Sequence, residues 1–330
     1  MEDRKKDHIN LAFSSRILED MLDKRFSYEP ILSSHPEGIP DSFSLGRKKM
    51  KVPVWVSSMT GGTKHAANIN KNLAIACREY RMGMGLGSCR IILDDDTYFE
   101  DFNVRQYIGD DQPLYANLGI CQVEEMIELG KTSKIEDLVK KLNADGLIVH
   151  VNPMQEWLQP EGDRMKISPL ATIKRLIDLT DLNLIVKEVG QGMGEKSLEQ
   201  LLQLPLTAIE FGAFGGTNFA KLELERSSET NRSLYEPFSR VGHTAEEMVF
   251  MINKILDEMT EINCSGLIIS GGIKSFIDGY YLMNISKMPS IYGQASSMLK
   301  FALKGLDELM EFIDYQVKGL EMAYAYLKVK

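Results

Sequence analysis

GLIVHVNPMQEW, residues 146–157, decides the fold. Its first half is an apolar run rich in β-branched residues, opened by glycine and too short for a helix. The second half turns polar at once, gathering His150, Asn152, Gln155 and Glu156 at the end of that run. Seven other stretches are built alike: PVWVSSM (53–59), MGMGLGS (82–88), LYANLG (114–119), LIVKEVG (184–190), AIEFGA (208–213), GLIISGG (266–272) and SIYGQA (290–295). Between several of them lie segments with apolar residues at three- and four-residue spacing. These include VEEMIELGKTS, KIEDLVKKLNA, PLATIKRLIDLT, SLEQLLQL and HTAEEMVFMINKILDEMTE. The last carries Thr244 as an N-cap and Glu247 three residues on, the pattern of a capping box. Eight strand–helix alternations predict an α/β fold, a closed (β/α)8 or TIM barrel. An open doubly wound sheet is the alternative.

Residues 1–52 do not join the alternation. They begin with a basic, helix-like segment holding Arg4, Lys5, Lys6 and His8, then pass into a loop with prolines and glycines at 30–46. This predicts an N-terminal arm and cover segment, a barrel over 53–304, and a C-terminal helix over 305–330 packed on the barrel.

Composition narrows the function. The chain has 330 residues, 44% of them hydrophobic, enough for one large barrel. Its 47 acidic and 38 basic side chains leave a net charge of −9, which disfavours nucleic acid or an anionic membrane as partner. Cys77, Cys89, Cys121 and Cys264 are scattered, without zinc spacing, and read as free thiols of a reducing cytosol. No apolar leader opens the chain, and no apolar run reaches the roughly 20 residues of a membrane span. A cytoplasmic location is expected.

In such barrels the chemistry sits at the C-terminal ends of the strands. The unusual residues fall there: Thr60 with Gly61 and Gly62, Ser88 with Arg90, Asn117, His150, Lys187, Thr217, Gly271 with Gly272, and Gly293. SGG (270–272) and YGQAS (292–296) end the seventh and eighth strands, where backbone N–H groups commonly hold a phosphate. Lys187 in a barrel mouth calls for an acidic partner, with Glu188 the near choice, or for an electron-rich ligand such as the N1–C2=O edge of a flavin. Glu156 is a hard oxygen ligand suited to magnesium with substrate phosphates completing the shell. The basic N-terminal cluster is either a solvated tail or an arm that closes over a diphosphate.

These motifs together resemble the type 2, flavin-dependent isopentenyl-diphosphate isomerases. The likeness runs from RKKDHI (4–9) through SMTGG (58–62), GLGSCR (85–90), ANLG (116–119), HVNPMQE (150–156), PEGDR (160–164), KEVGQGM (187–193), FGGTNF (214–219) and SGGI (270–273). The resemblance implies an FMN-dependent rearrangement of isopentenyl and dimethylallyl diphosphate, with Mg2+, and with NAD(P)H only as reductant of the flavin. It implies that Thr60, Ser88, Asn117, Lys187 and Thr217 contact FMN, and that Gly271, Gly272, Ala295 and Ser296 hold its phosphate. Arg4, Lys5, His8, Ser88, Arg90, His150, Asn152 and Gln155 would contact substrate. Glu156 would ligate magnesium, and Gln155 and Glu156 would assist proton transfer by the reduced flavin. A homo-oligomer, tetramer or octamer, is also implied. Three positions depart from the family pattern: Cys89, Phe276, and GQASS (293–297) after the eighth strand. They are expected to alter the phosphate-side wall of the flavin site.

Two other readings stay open. Arg240 and His243 in SRVGH would suit an FMN barrel that oxidises 2-hydroxy acids, where a histidine base works beside a carboxylate-gripping arginine. A flavin-binding relative without catalysis is the second.

Overall fold

In the computed structural model, residues 2–40, 42–58 and 66–330 are described. Eight parallel strands close into a barrel: β1 (Val54–Val56), β2 (Gly83–Gly85), β3 (Leu114–Gly119), β4 (Gly146–Val151), β5 (Leu184–Glu188), β6 (Ala208–Glu210), β7 (Leu267–Ser270) and β8 (Ser290–Gln294). Each pairs with its sequence neighbours, and β8 pairs back onto β1. The open-sheet alternative is thereby excluded. All eight strands fall within the stretches expected from sequence; β3 fills its stretch and the other seven are shorter than theirs.

Helices cover the outside. The most regular, Ala245–Glu258, has the expected capping box between Thr244 and Glu247. The helix Leu306–Tyr326 lies across the outside of the barrel, with Phe312 stacked on Phe301 and Tyr80 donating to Met310 O.

Strand periodicity builds two cores. Residues pointing outward, such as Leu184 and Val186, join the large core shared with the helices. Residues pointing inward form a second core of Trp55, Tyr115, Ile148, Ile185, Ala208, Ile268 and Ile291. Each fully buried aliphatic side chain contributes about 1.5–3 kcal/mol against exposure, so this inner layer fixes the register of the whole barrel.

The 1–52 segment divides into parts. Phe43–Leu45 and Lys48–Met50 form a hairpin turned by Gly46 at φ +58°, a feature the sequence reading had as loop. Leu45 and Met50 enter the inner core, and Lys48 reaches Asp145 at 2.6 Å, so the hairpin closes the floor of the barrel rather than its mouth. Phe26–Tyr28 pairs antiparallel with Leu327–Val329 and ties the two ends of the chain together. The helix Glu2–Leu11 is exposed from Asp3 on, Ile9 included, and so are Phe13, Ile17 and Leu18 beyond it. No helix among the described residues is long and apolar enough to cross a membrane.

Candidate active site

The mouth follows from the inner core by one step of strand periodicity. Two residues past each inward apolar side chain comes the next inward position. Trp55 thus leads to Ser57, Tyr115 to Asn117, Ile148 to His150 and Ile185 to Lys187. Ala208 leads to Glu210, Ile268 to Ser270 and Ile291 to Gly293. An apolar layer is capped by a ring of polar ones.

Within the ring, neighbours are joined. Asn117 donates its amide to Leu86 O at 2.9 Å, and its Oδ1 lies 2.8 Å from His150 Nδ1. Burial, and then the charge of Lys187, push the His150 pKa down to about 4, so the ring is a neutral imidazole. His150, Lys187 and Glu210 stand side by side on β4, β5 and β6 as register partners. Lys187 Nζ donates to Glu188 O at 2.8 Å and lies 4.0 Å from Glu210 Oε1. The Lys187–Glu188 salt bridge, one of the two alternatives for this lysine, is therefore not formed. The Glu188 side chain points outward instead and accepts from the N–H groups of Gly190, Gln191 and Gly192 at 2.6–2.9 Å.

Beside this ring opens a cavity of about 450 Å³. Lys187, Thr217, Gly271, Gly272, Ala295 and Ser296, all singled out from sequence, line it, together with Ser57, Ser58, Gln294, Lys274 and Lys300. Glycine is required at its far end. Gly271 has φ +91°, and a Cβ there would sit 2.1 Å from Ala213 O. Gly215 and Gly216 approach Gly272 so closely that a Cβ on either would lie 3.2 Å from its backbone. Buried Ser57 and half-buried Ser58 have hydroxyls with no hydrogen-bond partner. A cradle of bare backbone with two unpaired hydroxyls and a lysine beside it suits a phosphorylated, hydrogen-bonding ligand such as FMN.

A second cluster lies on the helix Pro153–Leu158 just beyond β4. Asn152 Nδ2 donates to Gln155 Oε1 at 3.0 Å and to Glu156 Oε1 at 3.1 Å. Glu156 Oε2 accepts from Asp163 N at 2.8 Å. Gln155 Nε2 reaches Glu223 Oε1 at 3.3 Å, and Arg226 holds the other oxygen of that buried glutamate at 2.6 Å. Among the described residues no three His, Cys, Asp or Glu side chains form a metal cage. Glu156 beside the unpartnered Oδ1 of Asn152 instead offers the one or two protein oxygens that magnesium takes when phosphates and water supply the rest.

The remaining candidate residues lie apart. Ser88 is exposed and does not line the cavity, and Arg90, also exposed, pairs with Asp163 at 2.8 Å. Arg4, Lys5 and His8 sit on the exposed N-terminal helix. Thr60, Gly61 and Gly62 lie outside the described residues. Arg240 is exposed and bound to Glu236, while His243 stands with Gly194 in a separate cleft outside the barrel wall. The histidine–arginine pair of a 2-hydroxy-acid oxidase is not assembled at the mouth from these two residues.

The family departures also resolve. Cys89 is buried, its thiol raised to about 12 by desolvation, and it donates to Gly87 O. Phe276 faces away from the cavity and seats its ring on Gly319 of the C-terminal helix, where a Cβ would come within 2.4 Å. Only the GQASS segment reaches the cavity wall. The sequence reading missed Ser57, Glu210 and Glu223. Glu210 had a signal, a lone charge inside the apolar run AIEFGA; Ser57 is visible only once Trp55 is known to face inward.

The chain matches no family model. It is 32% identical over 306 residues to an isopentenyl-diphosphate delta-isomerase of Rickettsia typhi, covering 91% of this chain and 86% of that one. It is 31% identical over 326 residues to the protein of the same name from Rickettsia felis, covering 97% and 91%. In three dimensions it is similar to the flavin-binding domain of baker's yeast flavocytochrome b2, with a TM-score of 0.60 at 15% identity over 91% of this chain and 71% of that one. A mandelate oxidase variant with a monooxide FMN adduct gives 0.56 at 11% identity, over 93% and 89%. At such identities the structural likeness speaks for the barrel alone.

Proposed function

The chain belongs to the type 2 isopentenyl-diphosphate delta-isomerase family, and from that premise we propose that it interconverts isopentenyl and dimethylallyl diphosphate by a 1,3-allylic proton rearrangement in isoprenoid biosynthesis. The observation that carries the reading is the cavity itself: a glycine cradle, unpaired serine hydroxyls and Lys187, opening beside a mouth ring that includes His150.

FMN fits the cavity. Gly271, Gly272, Ala295 and Ser296 would hold its phosphate, and Thr217 and Lys187 would contact the rest of the group, with Ser57 and Ser58 as further donors. Thr60, Ser88 and Asn117 are the further contacts that the family motifs imply. When bound and reduced by NAD(P)H, FMN supplies the acid–base group for moving a proton without net redox. The chain's own residues do the rest. Asn152, Gln155 and His150 orient the C5 diphosphate, with Arg90 beside them. Glu156 ligates magnesium, and Gln155, fixed by Glu223, assists proton relay. Arg4, Lys5 and His8 close over the diphosphate as a cationic arm. Holding a small apolar tail against the cofactor by its charged end is catalysis by positioning. The enzyme works in the cytoplasm as a homo-oligomer, tetramer or octamer, and the exposed apolar residues of the arm support such assembly.

The test is direct. The purified protein is expected to be yellow and to release FMN. With excess reductant and Mg2+ it should convert isopentenyl diphosphate to dimethylallyl diphosphate. A colourless protein, or reduced holoprotein without turnover, would refute the proposal. Peroxide release from lactate would favour the oxidase instead.

A further inference from the structure

Glu210 is fully buried, and neither of its carboxylate oxygens meets a hydrogen-bond donor. Beneath it lies the apolar inner core, with Ala208 on its own strand and Ile185 on the next. A bare carboxylate in such a place is strongly disfavoured unless a charge compensates it. The cation at hand is Lys187, its register partner, at 4.0 Å. Lys187 spends one of its three N–H donors on Glu188 O and lines the cavity. The pair thus presents its positive member to the cavity and keeps its negative member buried behind it.

We propose that Glu210 is a positioning residue that sets, through Lys187, the charge the protein presents to the flavin ring. The inference rests on reading the cavity as an FMN site. Two-electron reduction leaves the N1–C2=O region of a flavin negatively charged. An uncompensated lysine there would hold the reduced form tightly and make it a weak base. An isomerase needs a reduced ring that still gives and takes protons, and Glu210 restores that basicity by cancelling part of the lysine's field. The same carboxylate keeps Nζ in place, because attraction across two adjacent strands limits its swing.

The test compares Kd for oxidised and reduced FMN in the full-length protein. Glu210→Gln should raise the preference for reduced FMN at least tenfold, a positive shift of about 30 mV for a two-electron couple. Glu210→Asp keeps the charge and should stay near wild type. Lys187→Gln should shift the potential negatively, and adding Glu210→Gln to it should change the potential little further, because the carboxylate acts through the lysine. That double variant buries no charge, so it serves even if Glu210→Gln alone fails to fold. Equal ratios in wild type and Glu210→Gln, or a tenfold difference between Lys187→Gln and the double variant, would overturn the inference. A wild-type protein that takes up no FMN would instead overturn the functional reading, before any variant is made.

Discussion

His150 Nδ1 lies 2.8 Å from Asn117 Oδ1 on the neighbouring strand, and Asn117 spends its own N–H on Leu86 O. That second bond fixes which way the amide points. His150 therefore donates from Nδ1 and carries its lone pair on Nε2.

With its pKa near 4 in the fold and about 6.5 when unfolded, His150 binds a proton more readily in the unfolded chain. Its contribution to stability is complete above pH 6.5 and is lost as the pH falls from there toward 4. The loss is at most about 3 kcal/mol. His150→Gln should flatten this part of the urea-midpoint profile between pH 6.5 and 4. A variant as acid-sensitive as wild type over that window would contradict the assignment.

Gly271→Ala should unfold or severely weaken the protein, by about 3 kcal/mol or more, because φ +91° and a Cβ 2.1 Å from Ala213 O combine. Gly216→Ala is the contrast. Its Cβ would meet Gly272 N at 3.2 Å without a positive φ, so the fold should survive while FMN binds more weakly. Denaturant midpoints and flavin content measured on both variants separate strain from ligand contact.

Glu156→Gln should keep its FMN yet lose about a hundredfold or more in kcat/KM, along with the response to Mg2+. The amide can still accept from Asn152 or Asp163, so shape persists while charge goes. Wild-type magnesium titration in the variant would remove Glu156 from the metal.

Deleting residues 1–8 should raise KM for the diphosphate about tenfold or more and leave FMN affinity unchanged. Adding salt should shrink the difference, since exposed charges are screened beyond about 10 Å at 0.1 M. Identical kinetics at low salt would make the cluster a solvated tail.

Phe276→Ala should cost about 2–3 kcal/mol of stability with no change in FMN affinity, because the ring rests on Gly319 and not in the cavity. Thermal unfolding and flavin titration of the same sample check both halves.

Much of this was legible in the sequence because strands of period two write their two faces in alternation. LIVKEVG gave both the strand and the inward Lys187. The glycine turns were legible because no other residue serves there. The partner of Lys187 was not, since Glu210 is 23 positions away and only barrel register brings it opposite. The hairpin over 43–50 was hidden by its brevity and its lysines. Phe276 was misjudged for a similar reason: nothing local says that the C-terminal helix presents Gly319, 43 residues later, to it.

The pairing of Phe26–Tyr28 with Leu327–Val329 makes the arm a tethered ligand whose root is built by the opposite end of the chain. Arg25 beside that root is held by Asp278 at 3.0 Å, and Lys330 N donates to Arg25 O at 3.0 Å. From there the ten-residue helix Glu2–Leu11 spans about 15 Å, and the stretch 12–25 between helix and root can extend to roughly 45 Å. If the arm closes over the diphosphate as proposed, that tether would hold Arg4 and Lys5 at an effective concentration of about a millimolar, and each contact to a diphosphate could be weak. Trimming the last four residues would lengthen the leash and dilute those cations, an effect at one terminus written by a cut at the other.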